Sequence, residues 1–130
     1  MMRQIHSILI VFIMVACMIL CTGTVLAADW YYVGSSNDGS VSVFIDNSSV
    51  EKNYQYASIL EKHTMSDGSF SIFKVFYTHT PKTYTMLSFT DYNADGSVEN
   101  SHVLSKYELN TNPIVPDSVG EAVWYCIWSK

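Results

Sequence analysis

Basic residues are scarce in this chain: seven Lys and Arg stand against 12 Asp and Glu, for a net charge of −5. A protein that grips nucleic acid needs a stripe of cations to neutralise phosphates, and none exists, so nucleic acid is excluded as a partner. Cysteine is scarcer still. Of three cysteines, Cys17 and Cys21 fall in an N-terminal apolar stretch and only Cys126 lies beyond it, so an exported chain would have no intramolecular disulfide. There is no G-x-S-x-G elbow, no metal-ligand spacing among His63, His79 and His102, no repeat with a period of roughly 20 to 50 residues, and no linker. What is left is one domain, with no cofactor and no catalytic motif.

Long apolar runs are also missing, except at the start. Residues 1–7 carry Arg3, residues 8–21 are unbroken apolar sequence, and Val25-Leu26-Ala27 ends on small residues. This order predicts a secretory signal peptide over residues 1–28, cut after Ala27 or Ala28, because the apolar core falls short of the ~20 residues a spanning helix needs. Two alternatives stand beside it: residues 8–28 kept as an anchor, and a lipid on Cys17 through the poor site Met14-Val15-Ala16-Cys17. With the leader gone, residues 29–130 hold six basic residues against 12 acidic ones, have no membrane span, and suffice for a single small core.

Within that domain, aromatic and β-branched residues alternate between turn signals. Residues 29–33, 41–45, 54–64, 70–78, 84–90 and 98–104 predict about six strands, the last one with an alternative end at 109. Asp67-Gly68 and Asp95-Gly96 mark hairpins, Pro81-Lys82 marks another turn, and Asp46-Asn47-Ser48-Ser49-Val50 is a turn whose side chains bond their own backbone. Asn110 to Pro113 closes the last strand, and Pro113-Ile114-Val115-Pro116 crosses in extended form to a helix.

The helix is predicted over residues 116–130. Ser118-x-x-Glu121 has capping-box spacing, and Val119, Ala122, Val123, Cys126 and Ile127 make one apolar stripe at 3.6 residues per turn. Gly120 lowers propensity by about 1 kcal/mol, so docking must hold the helix. The structural residues are therefore Ser118, Val119, Glu121, Val123, Cys126 and Ile127. The fold class is α+β: a single antiparallel meander with the C-terminal helix packed on one face. Cys126 is either a small buried hydrophobe or a bridge to a second copy.

Candidate chemistry is thin. Asp91-x-Asn93-x-Asp95-Gly96 copies half a calcium loop, but the twelfth position falls on His102, so a hairpin turn is the better reading. The acidic residues look spread over turns and edges, as solvated charge. Asn47-Ser48-Ser49 is a formal glycosylation acceptor. Nine tyrosines remain (Tyr31, Tyr32, Tyr54, Tyr56, Tyr77, Tyr84, Tyr92, Tyr107 and Tyr125), some closing core edges and some suited to a binding patch.

Several pieces in order resemble the bacterial surface-adhesin protein E-like domain family. They are Trp30-Tyr31-Tyr32; Phe44-Ile45-Asp46 with Ser49-Val50; Leu87-Ser88 leading into Asp91-Tyr92-Asn93-Ala94-Asp95-Gly96; and Pro113 to Glu121 ahead of Cys126. The resemblance implies an exported, non-enzymatic domain of the envelope or surface that works through contact with a host or envelope protein, adhesin-like. The alternative is a periplasmic or secreted domain that holds a small ligand in a groove between helix and sheet. The resemblance also implies a disulfide from the helix to a cysteine where this chain has Thr78-His79-Thr80. Losing such a cross-link would forgo about 3 to 4 kcal/mol, which the apolar stripe must replace.

Overall fold

The computed structural model describes residues 27–129. The expected leader, with Cys17 and Cys21, lies outside the described residues except for Ala27 and Ala28. Among the described residues eight strands and one α-helix follow, with a short 3-10 turn at Asn47–Ser49: β1 Trp30–Ser35, β2 Val41–Asp46, β3 Glu51–Lys52, β4 Tyr56–Met65, β5 Phe70–Thr78, β6 Thr83–Tyr92, β7 Val98–Val103, β8 Thr111–Pro113 and α1 Val119–Trp128. All pairings are antiparallel in the order β1-β2-β4-β5-β6-β7, while β3 pairs with β4 and β8 with β6. The α+β class read from the sequence is the class observed, and the six long strands form the continuous path.

Three hairpins close on the same tripeptide, Asp-Gly-Ser. Gly39, Gly68 and Gly96 take φ of 71°, 88° and 84°, a region open to glycine and strained for most other residues. The preceding Asp38, Asp67 and Asp95 each accept from the Ser two residues on, through both its backbone N–H and its hydroxyl. All three carboxylates are thereby held below their ordinary pKa, with a serine hydroxyl as the leading cause. The half calcium loop is such a hairpin. Asp95 is spent on Ser97, Asp91 accepts from the Ser71 hydroxyl at 2.6 Å, and His102 faces Glu108.

Several boundaries differ from expectation. The first strand passes through Gly34 to Ser35, because a bulge between Tyr32 and Gly34 absorbs the irregularity. The third long strand starts at Tyr56 rather than Tyr54, since Asn53 Oδ1 caps the N–H groups of Gln55 and Tyr56 and holds a turn there. β7 stops at Val103, where Ser105 and Glu108 close a turn. Residues 111–113, expected only to end a strand, form β8 against the start of β6.

The helix is shorter than residues 116–130. Asp117 sits at φ 60°, and Ser118 caps with its hydroxyl accepting from the Glu121 N–H at 3.2 Å. The return bond of the box goes to the Asp117 N–H (2.9 Å) rather than to that of Ser118, which points to Val115 O. The buried face of α1 is Val123, Trp124 and Ile127, laid on Val43, Ile45, Ala57, Ile59, Val75 and Tyr77. Val119 and Cys126 are half-buried at its margins, and Val119 touches the space above Gly34.

Trp124 is off the expected stripe, and the end of β5 explains its burial. His79 stacks on Trp124 at 5.0 Å and meets Trp128 edge-on at 5.2 Å, while Trp124 Nε1 donates to Thr78 O at 3.1 Å. Lys82 lies over the rings of Trp124 and Tyr125 and donates to Glu121, and Lys52 donates to the carbonyl of Ile127 in the last turn. Thr78-His79-Thr80, where the resemblance would place a cysteine, thus fastens the helix through rings. Cys126 is a free thiol.

Candidate functional site

The helix covers only part of its face of the sheet. Beyond its N-terminal end lies a cleft of about 400 Å³, walled by the sheet on one side and by residues 113–120 and Val123 on the other. Its floor comes from strand periodicity. With Ala57 and Ile59 facing inward, the period of two puts Glu61 and His63 inward as well, and β5 adds Phe73, Val75 and Tyr77. Tyr84 and Met86 of β6 complete the floor.

Glu61 is the unusual member of this set, being 6% exposed in the middle of a strand. One carboxylate oxygen accepts from the Tyr77 hydroxyl, which reaches it from a position paired with Ala57, and the other meets His63 Nε2 at 3.1 Å. Burial, and then the charge on Glu61, hold the Tyr77 phenol well above its ordinary pKa, so it remains a protonated donor. His63 in turn packs edge-on against Phe73 at 4.7 Å. A buried carboxylate is costly unless it is hydrogen-bonded, and both of its oxygens are engaged.

Sequence reasoning placed the acids on turns and edges, which is corrected for Glu61 and also for Asp46. Asp46 is buried at the end of β2. Burial works to raise its pKa, but hydrogen bonds from Ser48 and from the Asp29 N–H outweigh this and leave it lowered. The signal for Glu61 was available in the parity that Ala57 and Ile59 set along β4. Tyr77 and Tyr84 could not have been separated from the other tyrosines without the pairing.

The three histidines part company. His63 lines the cleft, His79 lies between Trp124 and Trp128, and His102 on β7 pairs with Glu108 at 2.9 Å. Among the described residues no three His, Cys, Asp or Glu side chains gather to hold a metal ion. Of the six structural residues, Ser118, Val119 and Val123 line the cleft, Glu121 closes the cap, and Cys126 and Ile127 lie at the far end of the helix. Asn47 turns its amide toward Asp29.

The opposite face of the sheet carries paired rings. Tyr32 meets Phe44, Tyr56 stacks on Phe76, and Phe70 stacks on Tyr92, with Lys62 over Trp30 and Phe44. Tyr32 and Tyr56 are 52% and 46% exposed.

No protein-family model matches the chain, and no curated protein or solved structure matches it either. Among the described residues no helix is long and apolar enough to cross a membrane.

Proposed function

We propose that this is an exported, non-catalytic binding domain of the bacterial envelope or surface, and that the cleft between α1 and the sheet holds an apolar small molecule. The observation that carries this reading is the cleft itself: about 400 Å³, mostly apolar walls, and three polar groups, Glu61, His63 and Tyr77, meeting on its floor. That size and that mixture are those of small-molecule sites. A holding role fits better than a reaction. The one hydroxyl nucleophile of the lining beside the tyrosines, Ser118, donates to Val115 O at 2.6 Å and caps the helix, leaving it no base. Kinship with the surface-adhesin protein E-like domains rests on the order of the matching pieces and on the α+β architecture. Export rests on the composition of residues 1–28.

Saturable binding of 1-octanol, followed by heteronuclear NMR shifts of cleft residues, is the expected result, and Met86→Trp, which fills the floor, should abolish it. Equal binding by the filled variant would sink the reading. Mass spectrometry of the exported protein should give an N-terminus at Ala28 or Asp29, and a chain starting at Met1 would refute cleavage.

A second reading, adhesin-like contact with a host or envelope protein, is favoured by the exposed ring pairs of the open face. Its test is surface plasmon resonance on immobilised extracellular-matrix protein, where Tyr32→Ser with Tyr56→Ser should remove the signal and Met86→Trp should not.

A further inference from the structure

Glu61 is hydrogen-bonded at both oxygens but has no fixed positive charge beside it among the described residues. Among the described residues the one basic side chain in contact with it is His63, and no Lys or Arg reaches it. The remaining bond, from Tyr77, is a neutral donor's. The basic side chains of the described residues are occupied elsewhere or lie on other surfaces: Lys82 on Glu121 and Trp124, Lys62 and the exposed Lys74 on the open face, Lys52 at the end of the helix, Lys106 over Tyr107. The cleft therefore concentrates negative charge at the base of an apolar wall, where a low dielectric strengthens any opposite charge brought to it. Beside the carboxylate stand the rings of Tyr77, His63 and Phe73, and Tyr84 lies 6.3 Å from Tyr77 on the same floor. Electron-rich ring faces beside a carboxylate are the surroundings an organic cation prefers.

We infer that the cleft takes an alkylammonium: a protonated amine whose N–H groups donate to Glu61 and whose apolar tail runs along Val119, Val123 and Met86. This rests on the proposed ligand-holding role and adds the class of ligand to it. Tyr77 fixes the carboxylate from behind through one oxygen. The other oxygen, shared with His63 from the half-exposed side, is the one an incoming ammonium reaches. Charge complementarity selects the cation, because a carboxylate head would meet Glu61 as a like charge and an alcohol head would form only a hydrogen bond without opposite charge.

The test is a calorimetric titration of the mature protein with n-octylammonium chloride, 1-octanol and sodium octanoate at neutral pH. Binding of the ammonium should be about tenfold or more tighter than that of the alcohol, with octanoate weakest. Glu61→Gln, which keeps an acceptor for Tyr77, should bring the ammonium to the level of the alcohol. In the wild type, the side-chain carboxylate carbon resonance of Glu61 should shift further on adding the ammonium than on adding the alcohol, which covers the case of a Glu61 variant that does not fold. Equal affinities for ammonium and alcohol in the wild type would overturn the ligand class while leaving the cleft as an apolar site. A Glu61 carboxylate resonance that the ammonium leaves unmoved would also overturn it, and absence of binding by all three probes would remove the ligand-holding role as well.

Discussion

The two halves of the helix-facing side of the sheet are built from the same strands and end differently. At one half, Ala57, Ile59, Val75 and Ile45 lie under Val123, Trp124 and Ile127, and Thr78, His79, Asn53 and Lys52, at the ends of β5 and β3, all bond or stack onto the helix. At the other, Glu61, His63 and Phe73 continue the same inward parity under an open cleft bordered by Val119, Gly120 and Val123 of the helix and by residues 113–115 and 118. Regular packing carries the stability of the first half. In the second the incomplete cover leaves a concave, partly polar floor. A short helix on a long sheet thus divides one face into a fastened end and a receptive end.

The sharpest way to break this contrast is Trp124→Ala at the fastened end. It removes a large buried ring and its bond to Thr78 O, and should cost about 3 to 5 kcal/mol in urea denaturation. Phe73→Ala at the receptive end removes a half-buried ring and should cost about 1 to 2 kcal/mol by the same measurement. Equal losses at the two sites would mean that the cleft is as much a part of the core as the helix contact. His79→Ala takes out the ring that stacks on Trp124 and meets Trp128 edge-on, for an expected loss of about 1 kcal/mol, read as a lower melting temperature. An unchanged melting temperature would show that the helix needs no aromatic fastening.

Cys126 should give the same mobility on reducing and non-reducing gels, since its side chain packs against the core at the fastened end. A dimer band lost on reduction would instead place it at an interface between copies.

The smallest effect is expected from acid, and it concerns turns remote from either half. Asp38 and Glu108 are lowered from 3.8 and 4.5 to about 2, by hydrogen bonds led by Ser36 and Ser105 respectively. A carboxylate whose pKa is lower in the folded chain stabilises it fully above the unfolded value and loses that contribution as pH falls through the folded one. The melting temperature should therefore hold down to about pH 4.5 and decline toward pH 2, with a smaller decline in Asp38→Asn. A profile flat over that range would contradict the hydrogen bonds assigned to these turns.

Much of this arrangement was legible in residues that act locally. Asp67-Gly68 and Asp95-Gly96 announced their hairpins because only glycine enters that backbone region freely, and Ser118 with Glu121 announced the cap. The strand boundaries drifted where a distant partner decided them. Gly34 continues β1 because a bulge lets it, and residues 111–113 become a strand only because β6 offers an edge. Trp124 escaped the stripe for the same kind of reason: its surroundings belong to Thr78 and His79, more than 40 residues earlier. Glu61 was discounted because a charged residue is usually solvated, although its strand parity pointed inward.

By itself, then, the amino-acid order determined the alternating strands, the turns between them and an amphipathic helix needing a surface. Those properties depend on neighbours within a few positions, where backbone sterics and side-chain periodicity act. Tertiary structure alone decided how far along the sheet that helix would reach, and so left Glu61, His63 and Tyr77 together under an open wall. Burial and charge pairing depend on which residues meet across strands, and no local pattern contains that information.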